Sequence, residues 1–156
     1  MEILIEDRQD RHRMAQKKIQ GTAKAILNAL ECPDGELSIL IVDDAEIAKI
    51  NKTYLGRSGP TNVIAFPMTE GQFGDINPNL LGDVVISLDT AAREARDDCV
   101  SLESRFDQLL IHGILHLFGF DHEQTSEEDK RMAEKAQELL ECLHKSRSVP
   151  KSDESV

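Results

Sequence analysis

The stretch HGILHLFGFDH, residues 112–122, limits what this chain can fold into more than any other part of it. On an α-helix, residues four apart stand one above the other on the same face, so the imidazoles of His112 and His116 converge. Gly119 falls where such a helix must end, because glycine enters the left-handed region at little cost. A chain turning back there brings His122 to the same point. The surrounding LLIHGILHLFG is apolar nearly all round, which demands a buried helix. Burying three unpaired imidazoles in such a segment would cost desolvation with no return. With five histidines in 156 residues, chance yields roughly 0.005 occurrences of this spacing. Three neutral imidazoles on one point make a site for one Zn²⁺ ion. They leave the fourth tetrahedral position to water, the arrangement of catalytic rather than structural zinc. Asp121 or Glu123 is the alternative fourth ligand, although Asp121 better suits orienting a histidine or capping a turn.

The spacing equals that of the metzincin peptidase motif H-E-x-x-H-x-x-G-x-x-H, with one difference. Gly113 stands where the peptidase carries its general-base glutamate. Without that carboxylate, attack of water on an amide lacks its usual proton acceptor. The chemistry must use a better leaving group or another base.

The rest of the chain reads as alternating strands and helices. Glu2–Glu6 alternates weakly as a short strand, and apolar residues at three- and four-residue steps predict a helix over Asp10–Leu30. ELSILIV (36–42), NVIAFP (62–67) and GDVVISL (82–88) are compact β-branched runs of strand length. Asp43 with Glu46 has capping-box spacing and opens a helix through Tyr54; Asp89 and Ser101 are expected to cap the next two helices. Thr125 with Glu128 signals a last helix, Ser126–His144. Residues 68–81 form a long loop rich in glycine and polar residues. The order β-α-β-α-β-β-α-α-α predicts an α+β single domain, a mixed four-stranded sheet packed with helices.

Composition mainly excludes. No apolar run is long enough for a membrane span. The N-terminus, MEILIEDRQD, carries acids where a signal peptide would be basic, which predicts a cytoplasmic protein. Cys32, Cys99 and Cys142 contain no C-x-x-C pair, which argues against a disulfide framework and a cysteine-built zinc site; small, mostly buried thiols are the expectation. The net charge of −11 tells against non-specific polyanion binding. The charge is uneven: residues 1–57 hold nine Lys/Arg against ten Asp/Glu, residues 58–156 nine against nineteen. A solvated helix surface is the simpler account of the early basic residues, and a basic face the alternative.

With the histidine segment, two further stretches establish a resemblance. PTNVIAFP (60–67) is similar to P-T-[DN]-V-L-S-F-P, and LGDVVIS (81–87) to L-G-D-I-x-I-S; the histidine segment itself is similar to H-G-x-L-H-L-x-G-Y-D-H. In this order and at these separations, the chain resembles the YbeY family of bacterial rRNA-maturation endoribonucleases. The resemblance implies a zincin-like fold, placed over residues 1–146; the polar composition of 147–156 predicts a disordered tail. It implies zinc at His112, His116 and His122, cleavage of single-stranded rRNA, a role in 16S rRNA 3′-end processing and ribosome quality control, and contacts with the small ribosomal subunit.

The family pattern carries an arginine after the tyrosine that precedes P-T-[DN], and Leu55 occupies that place here. Arg57, two residues on, is the candidate substitute, since an arginine fork suits a phosphodiester. Thr61 and Asn62 are candidate substrate contacts, with turn and strand-end hydrogen bonding the competing role. Phe66 and Phe73 are candidate base-stacking residues, with core packing the competing role. Phe120 replaces the family's usual tyrosine. Two mechanisms stay open, attack by water and attack by the RNA's own 2′-hydroxyl. Two alternative functions also stay open: a non-catalytic, zinc-stabilised ribosome-assembly factor and, less favoured because of Gly113, a metallopeptidase.

Overall fold

Each compact β-branched run forms a strand, and the strands assemble into one sheet. The computed structural model describes residues 3–68, 79–120 and 126–148. The strands are β1 (Ile3–Asp7), β2 (Glu36–Val42), β3 (Val63–Pro67) and β4 (Leu80–Ser87). The helices are α1 (Gln16–Ala29), α2 (Asp44–Leu55), α3 (Leu88–Asp97), α4 (Leu102–Leu117) and α5 (Ser126–Ser148). The sheet order is β1-β2-β4-β3, with β1, β2 and β4 parallel and β3 antiparallel to β4. The element order and the mixed sheet are those the sequence predicts.

Strand alternation divides the core between two faces. Ile3, Leu37, Ile39, Ile41, Leu81, Val84 and Ile86 join the main cluster with α1, α4 and α5 residues. Val42, Ile64 and Val85 form a smaller cluster with Ile47 of α2. Helix α4, predicted to be buried, supplies Phe106, Leu109, Leu110, Ile111, Ile114, Leu115 and Leu117 to the main cluster. Burying an apolar side chain of this size contributes about 1.5–3 kcal/mol, so α4 is held chiefly by packing.

Several local expectations are corrected. Helix α1 starts at Gln16 rather than Asp10. The preceding residues are held by competing hydrogen bonds: Gln9 Nε2 donates to Asp7 Oδ1 and the His12 carbonyl, and His12 N donates to Gln9 Oε1. Ser87, not Asp89, caps α3, accepting from Thr90 N at 3.3 Å. Asp89 instead turns inward, accepts from Asp44 N at 3.1 Å and lies 3.2 Å from His12 Nε2. Helix α5 reaches Ser148, beyond the expected His144 and two residues into the segment expected to be a tail. Residues 149–156, Thr125 and most of the predicted 68–81 loop lie outside the described residues. The thiols are free, as expected, but only Cys32 is partly buried; Cys99 and Cys142 are exposed, the first in a positive-φ turn after α3 and the second on the outer face of α5. Several early basic residues are neutralised by acids: Arg8 pairs with Glu6 and Glu46, Lys18 with Glu103 and Arg11 with Asp89.

Asp44 ties the start of α2 to α3. It accepts from Ser87 Oγ at 2.7 Å, Thr90 Oγ1 at 2.6 Å and Arg93 at 2.7 Å. Partial burial pushes its carboxyl up, but the hydrogen bonds from Thr90, Ser87 and Arg93 together outweigh this and hold it below the usual carboxylate range. A carboxylate whose folded pKa is depressed stabilises the fold above its unfolded pKa, and that contribution disappears as pH falls through the folded value. Asp44→Asn is therefore expected to lose about 1 kcal/mol at pH 7. Its deficit relative to the parent should shrink below about pH 4, read by thermal melts at pH 7 and pH 3.

Candidate functional site

The site is built on α4. Ser101 caps the helix, accepting from Ser104 N at 3.0 Å, as its position predicts. Gly113 lets the helix lie close on the sheet: a Cβ there would come within 2.6 Å of Val84 Cγ1 and 3.2 Å of Val63 Cγ2. The absent peptidase glutamate thus has a steric counterpart. Position 113 faces the sheet, and a longer side chain would be driven into Val84.

His112 and His116, both half-buried, meet as the spacing requires. Their Nε2 atoms are 3.0 Å apart, with ring centroids 4.6 Å apart and planes inclined by 71°. Two imidazole nitrogens bound to one Zn²⁺ at about 2.0–2.1 Å in a tetrahedron lie about 3.3 Å from each other. The observed separation therefore fits two lone pairs aimed at a shared cation, after a slight opening. The helix ends as predicted: Gly119 has φ 93°, its N–H donates to the His116 carbonyl, and Phe120 N–H donates to the Leu115 carbonyl. His122, Asp121 and Glu123 lie outside the described residues. Among the described residues no group of three or more His, Cys, Asp or Glu side chains is placed to hold a metal ion.

A cavity of about 290 Å³ opens beside His112, lined also by Asn62, Val63, Arg105, Gln108 and Leu140, among others. The side chain of Asn62 is fully engaged there: Nδ2 donates to both oxygens of Glu94 at 3.3 and 3.2 Å, and Oδ1 accepts from Val63 N at 2.7 Å. Its carbonyl accepts from Ser87 N. This is the strand-end role weighed above, and it anchors β3 next to the histidines. Thr61 is half-buried two residues before the start of β3.

Arg57 is exposed in the turn after α2. That turn is fastened to the helix by Asn51, whose carbonyl accepts from Arg57 N at 3.3 Å and whose buried Nδ2 donates to the Gly59 carbonyl at 3.0 Å. Leu55, where the family pattern has arginine, is 43% exposed at the end of α2. Phe66 makes an edge contact with Tyr54 at 5.6 Å on the sheet face that α2 covers; Phe73 lies outside the described residues. Phe120 packs against the main core.

Residues 4–144 match the family described as endoribonuclease YbeY. The chain belongs to the YbeY family. It is 54% identical over 132 residues to the endoribonuclease YbeY of Syntrophotalea carbinolica, covering 85% of this chain and 88% of that one. The Geobacter sulfurreducens endoribonuclease YbeY is 48% identical over 144 residues, 92% and 96% of the two chains. A Thermotoga maritima protein solved in solution superposes with a TM-score of 0.67 at 26% identity, covering 95% of this chain and 93% of that one.

Arg105 and Gln108 line the cavity beside His112, with Glu94 bonded to Arg105, and none of the three stands out in the sequence. The available signal was helical periodicity: Arg105, Gln108 and His112 recur at three- and four-residue steps, one stripe of α4.

Proposed function

We propose that this protein is a zinc-dependent endoribonuclease specific for single-stranded RNA, with a zincin-like fold, acting in 16S rRNA 3′-end maturation and late ribosome quality control. The observation that carries the reading is the convergence of His112 and His116 Nε2, 3.0 Å apart, in a chain of the endoribonuclease YbeY family. His122 is the proposed third ligand. When bound, zinc supplies a Lewis acid that lowers the pKa of a water toward neutrality and polarises a phosphoryl oxygen. Gly113 sets the two described imidazoles by pressing α4 onto Val84 and Val63. Arg57 offsets the charge that develops on the phosphate, from a turn that Asn51 holds to α2. The small ribosomal subunit is the proposed partner and the cytoplasm the proposed location; no helix among the described residues is long and apolar enough to cross a membrane.

The test is the purified chain on a single-stranded rRNA-like oligonucleotide, with and without a chelator. Cleavage that stops on chelation and returns with Zn²⁺ is expected; chelator-resistant cleavage would overturn the catalytic metal. Cyclic-phosphate ends and resistance of a deoxy-substituted strand identify the 2′-hydroxyl as nucleophile; cleavage of the deoxy strand identifies water.

One observation favours a second reading, a non-catalytic assembly factor stabilised by zinc: Leu55 in the place of the family's arginine. Arg57→Ala tests whether that residue takes the place of the missing arginine. It is expected to slow cleavage by roughly 10²-fold, the order found for losing one preorganised charge-stabilising donor. Leu55→Arg in the Arg57→Ala background should recover much of that loss, since position 55 is exposed enough to carry the longer side chain. An Arg57→Ala variant with full rate would remove Arg57 from the mechanism.

A further inference from the structure

The cavity beside His112 contains a cation whose role neither the fold nor the metal explains. Arg105 lies seven residues before His112 on α4, about 10 Å along the helix axis at 1.5 Å per residue, and both line the same cavity. Its Nε donates to Glu94 Oε1 at 2.9 Å, its Nη2 lies 2.8 Å from the same oxygen, and its Nη1 donates to Gln108 Oε1 at 2.6 Å. A guanidinium has five N–H donors, so these contacts leave two for another acceptor. Glu94 is held in turn by Asn62 Nδ2. The fork is thus preset, its orientation fixed by a carboxylate on one edge and an amide oxygen on another. The Arg105 side chain is 22% exposed, partly withdrawn from water yet open to the cavity. A merely structural ion pair does not require the cation to face a cavity shared with His112.

We propose that Arg105 binds a backbone phosphate flanking the scissile one, making the cavity between α4, the start of β3 and α5 a subsite for a neighbouring nucleotide of single-stranded RNA. Planar, bidentate recognition of phosphate is what an arginine fork does best. Val63, Leu109, Ala136 and Leu140 give the cavity an apolar wall against which a sugar or base edge fits. Glu94 aligns Arg105 and partly offsets its charge, so it acts as a positioning residue that also tempers affinity. The inference rests on the histidine site being the cleavage centre, and its test has a readout independent of cleavage.

The experiment is fluorescence anisotropy of a 2′-O-methyl single-stranded RNA bound to the metal-loaded full chain over a salt series, with the oligomer checked intact on a gel. Arg105→Gln is expected to weaken binding about tenfold at 0.1 M salt. It should also reduce the slope of log K against log salt by about 0.7, the share of one phosphate contact on a single strand. Arg105→Lys should keep the slope and lose part of the affinity, because the charge remains and the fork does not. Glu94→Gln, which removes the competing carboxylate, should bind as tightly as the parent or more tightly. An unchanged salt slope in Arg105→Gln would overturn the proposal. So would parallel losses of binding in Arg105→Gln and Glu94→Gln that track their thermal stability, since a structural ion pair loses the same thing from either side. Failure to cleave RNA, with the salt slope behaving as stated, would reject the catalytic reading while leaving the subsite in place.

Discussion

His116→Ala is expected to lower RNA cleavage by roughly a thousandfold or more, the scale of losing metal-assisted activation, while the chain still folds. The side chain is half-buried rather than part of the packed core, and Leu109, Leu110, Ile114 and Leu115 continue to hold α4 in the main cluster. Removing it takes away one of two imidazole nitrogens 3.0 Å apart and would leave the proposed zinc ion without a full set of ligands. Zinc content and cleavage should fall together, measured by metal analysis and single-turnover assays on the same preparation. Full cleavage with lowered thermal stability would sink the catalytic-metal reading and leave the zinc a structural role. Loss of both would be ambiguous, so His116→Cys provides the second measurement. A thiolate can still bind the metal and should retain more zinc than alanine.

Gly82→Ala is expected to be the most destabilising small substitution in the sheet. Gly82 sits in β4 at φ 139°, a conformation that L side chains rarely adopt. A Cβ there would lie 2.1 Å from the Phe66 carbonyl oxygen, with Met68 N at 3.1 Å. Both are backbone atoms of the antiparallel partner, so rotating a side chain cannot relieve the contact. The register of β2 against β4 shifts at this point, where Leu37 pairs with Gly82 and Leu81 is skipped, and Leu81 O accepts from Met68 N at 2.9 Å. Backbone strain and overpacking combine to about 3 kcal/mol or more, a fall of about 10 °C in Tm for a chain of this size. Because β3 and the residue before it carry Val63 and Asn62 into the cavity beside His112, cleavage should suffer at temperatures where the variant is still folded. A variant that melts within 3 °C of the parent would show that the strand pair can open at no cost.

The two glycines give LGDVVIS and HGILHLFG a physical sense. At position 82 no side chain fits between paired backbones. At position 113 no side chain fits between α4 and Val84. The difference from the peptidase motif is therefore one of packing as much as of chemistry: in this fold a glutamate at 113 would meet the sheet before it could serve as a base.

How far the sequence reaches can be judged element by element. The compact apolar runs at 36–42 and 82–88, the Asp43 and Ser101 caps, and the pairing of His112 with His116 were legible because each depends on residues close together in the chain, where helical and strand periods dictate which side chains share a face. The end of α4 at Gly119 belongs with them, since only the conformational freedom of glycine is needed. The start of α1 was not legible. Nor was the cap of α3, because Ser87 and Asp89 both have capping chemistry and the choice fell to Asp44 N, 45 residues away, which draws Asp89 inward.

The three histidines stayed the strongest statement the sequence makes, since spacing alone aims two imidazoles at one point. Tertiary structure alone decided what surrounds them. Packing β3 and α3 beside α4 brings Asn62 into the cavity that His112 lines and Glu94 against Arg105, and it leaves Gly113 without room for a side chain. Those neighbours come from different elements, and contacts between distant segments are set by how helices and sheet pack, which no local pattern in the chain encodes.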